Sequence, residues 1–251
     1  MEISGIGIDG CRGGWLVCLF FKSKDVQFLL LPQLDELKQI LQPEFPVFID
    51  MPFGLSDKGE RTCDQQARQL LGKRGATIFT TPCRLAVFAN NYVQACELNE
   101  ACCGKKISIQ AWNLTPRIKE LDYFLRANPE LKKSFFESHP ELCFAWLNHG
   151  EILLSKKKSE EGRLQRLKLL QKIIDFKKDD IEEWRTVLGR SKVKMDDVLD
   201  AAVLAVCAAM PPSCRIYIPE KIEKDSFGLR MNIVCLKNIK NGEYGGRLLI
   251  F

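Results

Sequence analysis

Apolar and small residues interleave over residues 3–8, and a second apolar run over residues 15–21 follows the turn signal Gly10-Cys11-Arg12-Gly13-Gly14. That pattern predicts a hairpin of two strands. Residues 26–31 supply a third strand after Ser23-Lys24-Asp25, and Leu34, Leu37, Ile40 and Leu41 then recur at helical spacing until Pro43. Residues 46–50 form a short apolar strand stopped by Met51-Pro52, since proline has no N–H to give to a ladder.

From about 56 to 130 the pattern changes to polar helical material around residues 61–71, Gly and Thr-Pro breaks over 72–82, and a further helix around 86–97. This region reads as a helical insertion within a single domain spanning 1–251. Residues 134–138 are a fifth strand leading through His139-Pro140-Glu141 into the apolar residues 142–147. Leu164, Leu167, Leu170 and Ile174 share one helical face, and Ile181, Trp184 and Leu188 mark another helix. The strongest helix is 195–209, where Met195, Val198, Leu199, Ala202 and Val206 follow the helical repeat and Pro211-Pro212 ends it. The tail from 215 to 251 shows strand-like fragments and glycine turns.

Composition narrows the class. A chain of 251 residues with 46% hydrophobic and 27% charged residues can bury a core without cross-links, which excludes a disordered or collagenous protein. No apolar run approaches the roughly 18 residues of a membrane span, and the first residues lack a signal-peptide layout, so a soluble, cytoplasmic protein with no membrane partner is expected. The eleven cysteines are scattered and never spaced as C-x-x-C, which points to reduced thiols. The net charge of +5 is local: residues 156–194 hold thirteen Lys and Arg against seven Asp and Glu. Such a segment fits either a solvated helical exterior or a phosphate-tracking surface.

The candidate chemistry lies in the acids. Asp9 ends the first strand, Asp50 ends the fourth, Glu137 lies in the fifth, and Asp196, Asp197 and Asp200 open the last helix. A carboxylate at the end of an apolar strand sits against a core and costs several kcal/mol unless paired or bound to a cation. Spacings of three and four place Asp197 and Asp196 each on a face shared with Asp200. A hard divalent cation, Mg2+ or Mn2+, would relieve the repulsion. Helix capping is the other role open to Asp196 and Asp197, and an Asp-Gly turn is the other reading of Asp9.

The blocks Ile8-Asp9-Gly10-Cys11-Arg12-Gly13-Gly14-Trp15, Ile49-Asp50-Met51-Pro52-Phe53-Gly54-Leu55, Arg61-x-Cys63-Asp64-x-x-Ala67-Arg68, Phe79-x-x-Pro82, Glu137-Ser138-His139-Pro140-Glu141 and Asp196-Asp197-x-x-Asp200-Ala201 occur in order over about residues 4–210. Together they resemble the family catalogued as domain of unknown function 429, regarded as nucleases with a ribonuclease-H-like fold. The resemblance implies an α/β architecture: a mixed sheet of three antiparallel strands followed by parallel strands, with flanking helices. It also implies metal-assisted hydrolysis of phosphodiester bonds in DNA or RNA by two divalent ions about 3.5–4 Å apart. Carried over by position, the metal ligands and catalytic acids are Asp9, Asp50, Asp197 and Asp200, with Asp196 a near alternative and Glu137 a further catalytic acid. Arg12 and His139 are the candidates for touching substrate. Arg12 could instead pair with an acid, and His139 could be a packed residue before Pro140. Arg61, Asp64 and Arg68 form either a phosphate-facing ridge or an ion-pair network.

Two other functions are compatible with the same residues. One is a non-catalytic ribonuclease-H-like binding module, and the other a phosphotransferase or phosphohydrolase of the actin-like ATPase type, suggested by the glycines of the first hairpin. No duplicated glycine hairpin follows residue 134, and there is no Walker-type motif and no G-x-G-x-x-G placed after a strand.

Overall fold

In the computed structural model, which describes residues 2–237, the apolar runs become seven strands: β1 (Ile3–Cys11), β2 (Gly14–Phe21), β3 (Val26–Leu31), β4 (Val47–Asp50), β5 (Phe135–Glu137), β6 (Arg215–Ile218) and β7 (Ile233–Leu236). They make one mixed sheet in the order β3-β2-β1-β4-β5-β7-β6. β2 pairs antiparallel with both β1 and β3, whereas β4 runs parallel to β1 and to β5. β2 is buried along its whole length, which explains why its sequence is continuously apolar rather than alternating: both faces are covered.

The helices are α1 (Thr62–Leu71), α2 (Arg84–Val87), α3 (Tyr92–Cys103), α4 (Ile109–Ala127), α5 (Pro140–Leu147), α6 (Glu160–Leu170), α7 (Lys178–Leu188) and α8 (Met195–Ala208). This is the α/β architecture expected, a mixed sheet with flanking helices consistent with a ribonuclease-H-like fold. Part of the tail expected to hold strand fragments, beyond residue 237, lies outside the described residues.

Three local readings change. The helical spacing after β3 yields only a 3-10 helix, Leu34–Gln39. The helix expected over 86–97 is two helices, because Asn91 starts α3 by accepting the Gln94 N–H at 3.0 Å. The longest helix, α4, is hidden in the sequence by Pro116 at its centre. Proline leaves the carbonyl four residues back without its helical donor, and the Thr115 hydroxyl supplies one, at 2.8 Å from the Trp112 oxygen.

The chain forms two compact units. Among the described residues the first takes 2–50, 133–216 and 234–237, and the second takes Met51–Lys132 and Tyr217–Ile233, with the boundaries falling inside β6 and β7. The second unit therefore adds a distant segment to the insertion expected over about 56–130. Its interior is tied by ion pairs: buried Arg61 bonds Asp64 at 2.5 Å and the carbonyls of Phe53 and Gly54, and Arg84 spans Asp122 and Asp225 at 3.0 and 2.5 Å. Arg68 is likewise taken up by the Ile78 carbonyl and the Thr80 hydroxyl.

In the first unit α8 lies directly on β1. A Cβ at Gly7 would sit 2.1 Å from the Ala201 oxygen, and one at Gly5 would sit 2.4 Å from the Ala205 oxygen. Only glycine permits this approach, and the alanines of α8 complete it from the other side. α5, α6 and α7 pack around α8, and Trp184 of α7 meets Phe28 of β3 edge-on at 5.7 Å. All cysteines described in the two units are free thiols.

Candidate active site

The contact of α8 with β1 fixes where the acids meet. Gly5 faces Ala205 and Ala209, and Gly7 faces Ala201 and Ala205, so two residues up the strand correspond to four residues down the helix. The next residue on that strand face is Asp9, and the next turn of the helix holds Asp197 and Asp200. On the other side of β1, Asp9 is the in-register partner of Asp50 on parallel β4. In-register neighbours of a parallel pair point to the same face, so both carboxylates emerge on the side that α8 covers. The β1–β4 ladder ends and the helix starts at one place.

Electrostatics express this proximity. Asp9 is buried, and burial raises its pKa well above the usual carboxylate range, with Asp50, Asp200 and Asp197 adding repulsion. Asp200, 1% exposed, is pushed up to about 7, first by burial and then by Asp50 and Glu141, although Lys157 opposes the rise. Asp197 is also raised, by burial and then Asp196, against the hydrogen bond from the Lys194 N–H. That bond, 2.8 Å to Asp197 Oδ2, caps α8, so of the two acids open to a capping role Asp197 takes it. Asp196 is buried one turn before Asp200, and its Oδ1 has no hydrogen-bond partner among the described residues.

Lys157 enters this group from the segment between α5 and α6, with its Nζ 2.6 Å from Asp200 Oδ2. Burial works against its charge, but Asp200, Asp9 and Asp50 outweigh burial and hold the ammonium protonated. Behind Asp200, buried Arg166 gives Nη2 to both oxygens of Glu141 at 2.8 and 2.7 Å and Nη1 to the Gly162 carbonyl at 2.9 Å. Phe144 lies under the guanidinium at 5.4 Å.

The remaining candidates fall elsewhere. Glu137 is the in-register neighbour of Ile49, not of Asp50, so alternation turns it to the opposite face of the sheet from Asp9 and Asp50. His139 is half-buried and caps α5, its Nδ1 accepting the Glu141 N–H at 3.2 Å. Arg12 is exposed in the turn between β1 and β2 and forms no ion pair with the acids. Most of the basic segment is solvent-facing, including Lys156, Lys158, Lys168 and Lys172, while Arg185 pairs with Glu182 at 2.7 Å. Sequence reasoning missed Lys157 and the Glu141–Arg166 pair. The only signal for Lys157 is a run of three lysines, which does not say which one turns inward.

Donor chemistry and charge fit a hard divalent cation: Asp9, Asp50 and Asp200 offer oxygen ligands only, and burial together with mutual repulsion raises Asp9, while one turn before Asp200 the buried Asp196 Oδ1 is left without a partner among the described residues. Among the described residues no three His, Cys, Asp or Glu side chains converge closely enough to hold an ion as they stand. The cation in contact with the group is the Lys157 ammonium. A separate cavity of about 350 Å3, lined by Pro46, Ser134, Met210 and Arg215 among others, lies at the opposite ends of β4, β5 and α8 and takes no part in this site. No helix among the described residues is long and apolar enough to cross a membrane.

No curated protein and no solved structure matches this chain. The sequence does match, over residues 7–223, the family described as Protein of unknown function (DUF429), and the chain belongs to that family.

Proposed function

We propose that the protein is a metal-dependent nuclease, hydrolysing phosphodiester bonds of nucleic acid at the Asp9, Asp50 and Asp200 carboxylates. The observation that carries this reading is that three acids, from two adjacent strands and one helix start, lie toward one face, where burial and then their repulsion raise Asp9. Asp9, Asp50 and Asp200, with Asp197 at the rim, would hold Mg2+ or Mn2+, whose chemistry there is to lower the pKa of water and polarise a phosphoryl oxygen. The chain's own part is to keep those oxygens on one face, bury Asp9 and Asp200 from bulk water and fix Asp200 through the packed helices behind it. Exposed Arg12, Lys156, Lys158, Lys192 and Lys194 supply positive charge in the same unit, suited to a phosphate backbone.

The test is cleavage of labelled single- and double-stranded DNA and RNA by the whole chain with Mn2+, with Mg2+ and with chelator. The expected outcome is divalent-dependent cleavage that Asp9→Asn reduces by about 100-fold or more. Cleavage that ignores chelator, or no hydrolysis of any substrate, contradicts it. The Lys157–Asp200 ion pair favours one other reading, a non-catalytic binding module in which lysine neutralises the acids. That module would bind these oligonucleotides and leave them intact.

A further inference from the structure

Lys157 differs from its two neighbours in the Lys156-Lys157-Lys158 run. Lys156 and Lys158 are exposed, whereas Lys157 reaches the buried Asp200 and feels Asp9 and Asp50 as well. Its backbone is held in place. Ser159 bonds the Lys156 carbonyl through its N–H at 2.9 Å and its hydroxyl at 2.7 Å, and Arg166 reaches the Ser155 carbonyl at 3.4 Å. Gly162 packs so tightly against the Lys156 oxygen that a Cβ there would stand 2.1 Å from it. The side chain, in contrast, is 38% exposed, and its four-carbon stem can rotate to solvent without moving that backbone. An ammonium and a divalent ion compete for the same carboxylate oxygens and repel each other at such range.

We propose that Lys157 is the resident counter-cation of the carboxylate pocket, which a divalent ion must displace from Asp200 in order to bind. The inference rests on the metal-dependent reading above and adds what sets the affinity: the lysine keeps the acids compatible with one another in the metal-free protein and weakens the ion's hold. Arg166 and Glu141, by fixing the base of the segment, act as positioning residues for it.

The experiment is Mn2+ binding to the whole chain without nucleic acid, followed by calorimetry or by the spin resonance of free Mn2+, for wild type, Lys157→Met, Lys157→Gln, Lys157→Arg and Asp9→Asn. The expected result is that Lys157→Met and Lys157→Gln bind Mn2+ about tenfold more tightly than wild type, while Lys157→Arg does not gain. Thermal melts give a second readout. Metal-free Lys157→Met should melt below wild type, and saturating Mn2+ should raise its midpoint by more than it raises wild type's. Unchanged or weaker binding in both neutral variants, with wild-type binding still abolished by Asp9→Asn, overturns the inference and leaves the metal reading standing. If neither wild type nor the variants bind Mn2+, the metal reading fails and the inference fails with it. An equal Mn2+ shift in all proteins also counts against it.

Discussion

At Asp9 burial, the adjacent Asp50 and the approaching Asp200 all work against ionisation. Replacing it with the isosteric, neutral asparagine removes that conflict, so Asp9→Asn should stabilise the metal-free protein by about 1–3 kcal/mol while losing function. Urea unfolding in chelator reads this directly, and a lowered midpoint would contradict it. Glu141 is the reverse case. Its carboxylate neutralises the buried Arg166, and Glu141→Gln leaves that guanidinium without its counter-charge, at an expected cost of about 3–5 kcal/mol in the same assay. What the sequence discloses at this scale follows from the same physics. Asp9 and Asp50 are conspicuous because each interrupts an apolar run. Lys157 and Arg166 are not, because lysine and arginine in an amphipathic basic stretch look alike whether they face water or an acid 25 or 43 residues away.

Among the elements, α8 was the most legible and carries the most consequence. Its helical repeat marks the buried face, and the small residues of both partners announce a close approach, but only the register shows that Gly5, Gly7 and Asp9 lie on one line beneath it. Gly7→Ala tests that line. The added methyl has backbone, not a flexible side chain, at 2.1 Å, so α8 must shift, at a cost of about 3 kcal/mol or more. Because the shift would also move Asp200 relative to Asp9, Mn2+ binding should weaken together with stability. A variant that folds and binds like wild type would show that α8 does not position the site. α4 was illegible for a local reason: Pro116 breaks the helical reading, and its repair by the Thr115 hydroxyl belongs to tertiary detail that spacing does not encode. The role of Glu137 was misleading for a related reason. It ends a strand as Asp50 does, but the stagger of β5 against β4 sets it level with Ile49 and so on the other face.

For the molecule as a whole, the raised carboxylates set how stability depends on pH. With Asp200 at about 7 in the folded state against an ordinary 3.8, and Asp9 displaced in the same direction, the folded chain binds more protons than the unfolded chain between those limits. Stability from these groups is therefore greatest at low pH and is lost as pH rises toward and through 7. Asp64 and Glu60 oppose this only at the acid end, because Arg61 and Lys105 hold them below their usual values. Lys157 stays protonated throughout this window and adds no slope. The melting temperature of the metal-free protein should fall from pH 5 to pH 8, and Asp200→Asn should flatten that fall; a rising profile would contradict the electrostatic account. The first five strands were within reach of the sequence pattern and the meeting of β1, β4 and α8 of the family resemblance, whereas the places of β6 and β7 and the recruitment of Tyr217–Ile233 into the second unit were not, since short irregular segments carry little periodicity. The most direct test of the central claim is an anomalous difference map from a crystal of the whole chain soaked in Mn2+. The account predicts density within about 2.0–2.6 Å of carboxylate oxygens of Asp9, Asp50 and Asp200, with Lys157 turned away. A soaked crystal in which Lys157 still holds Asp200 and no ion lies between the acids would contradict it.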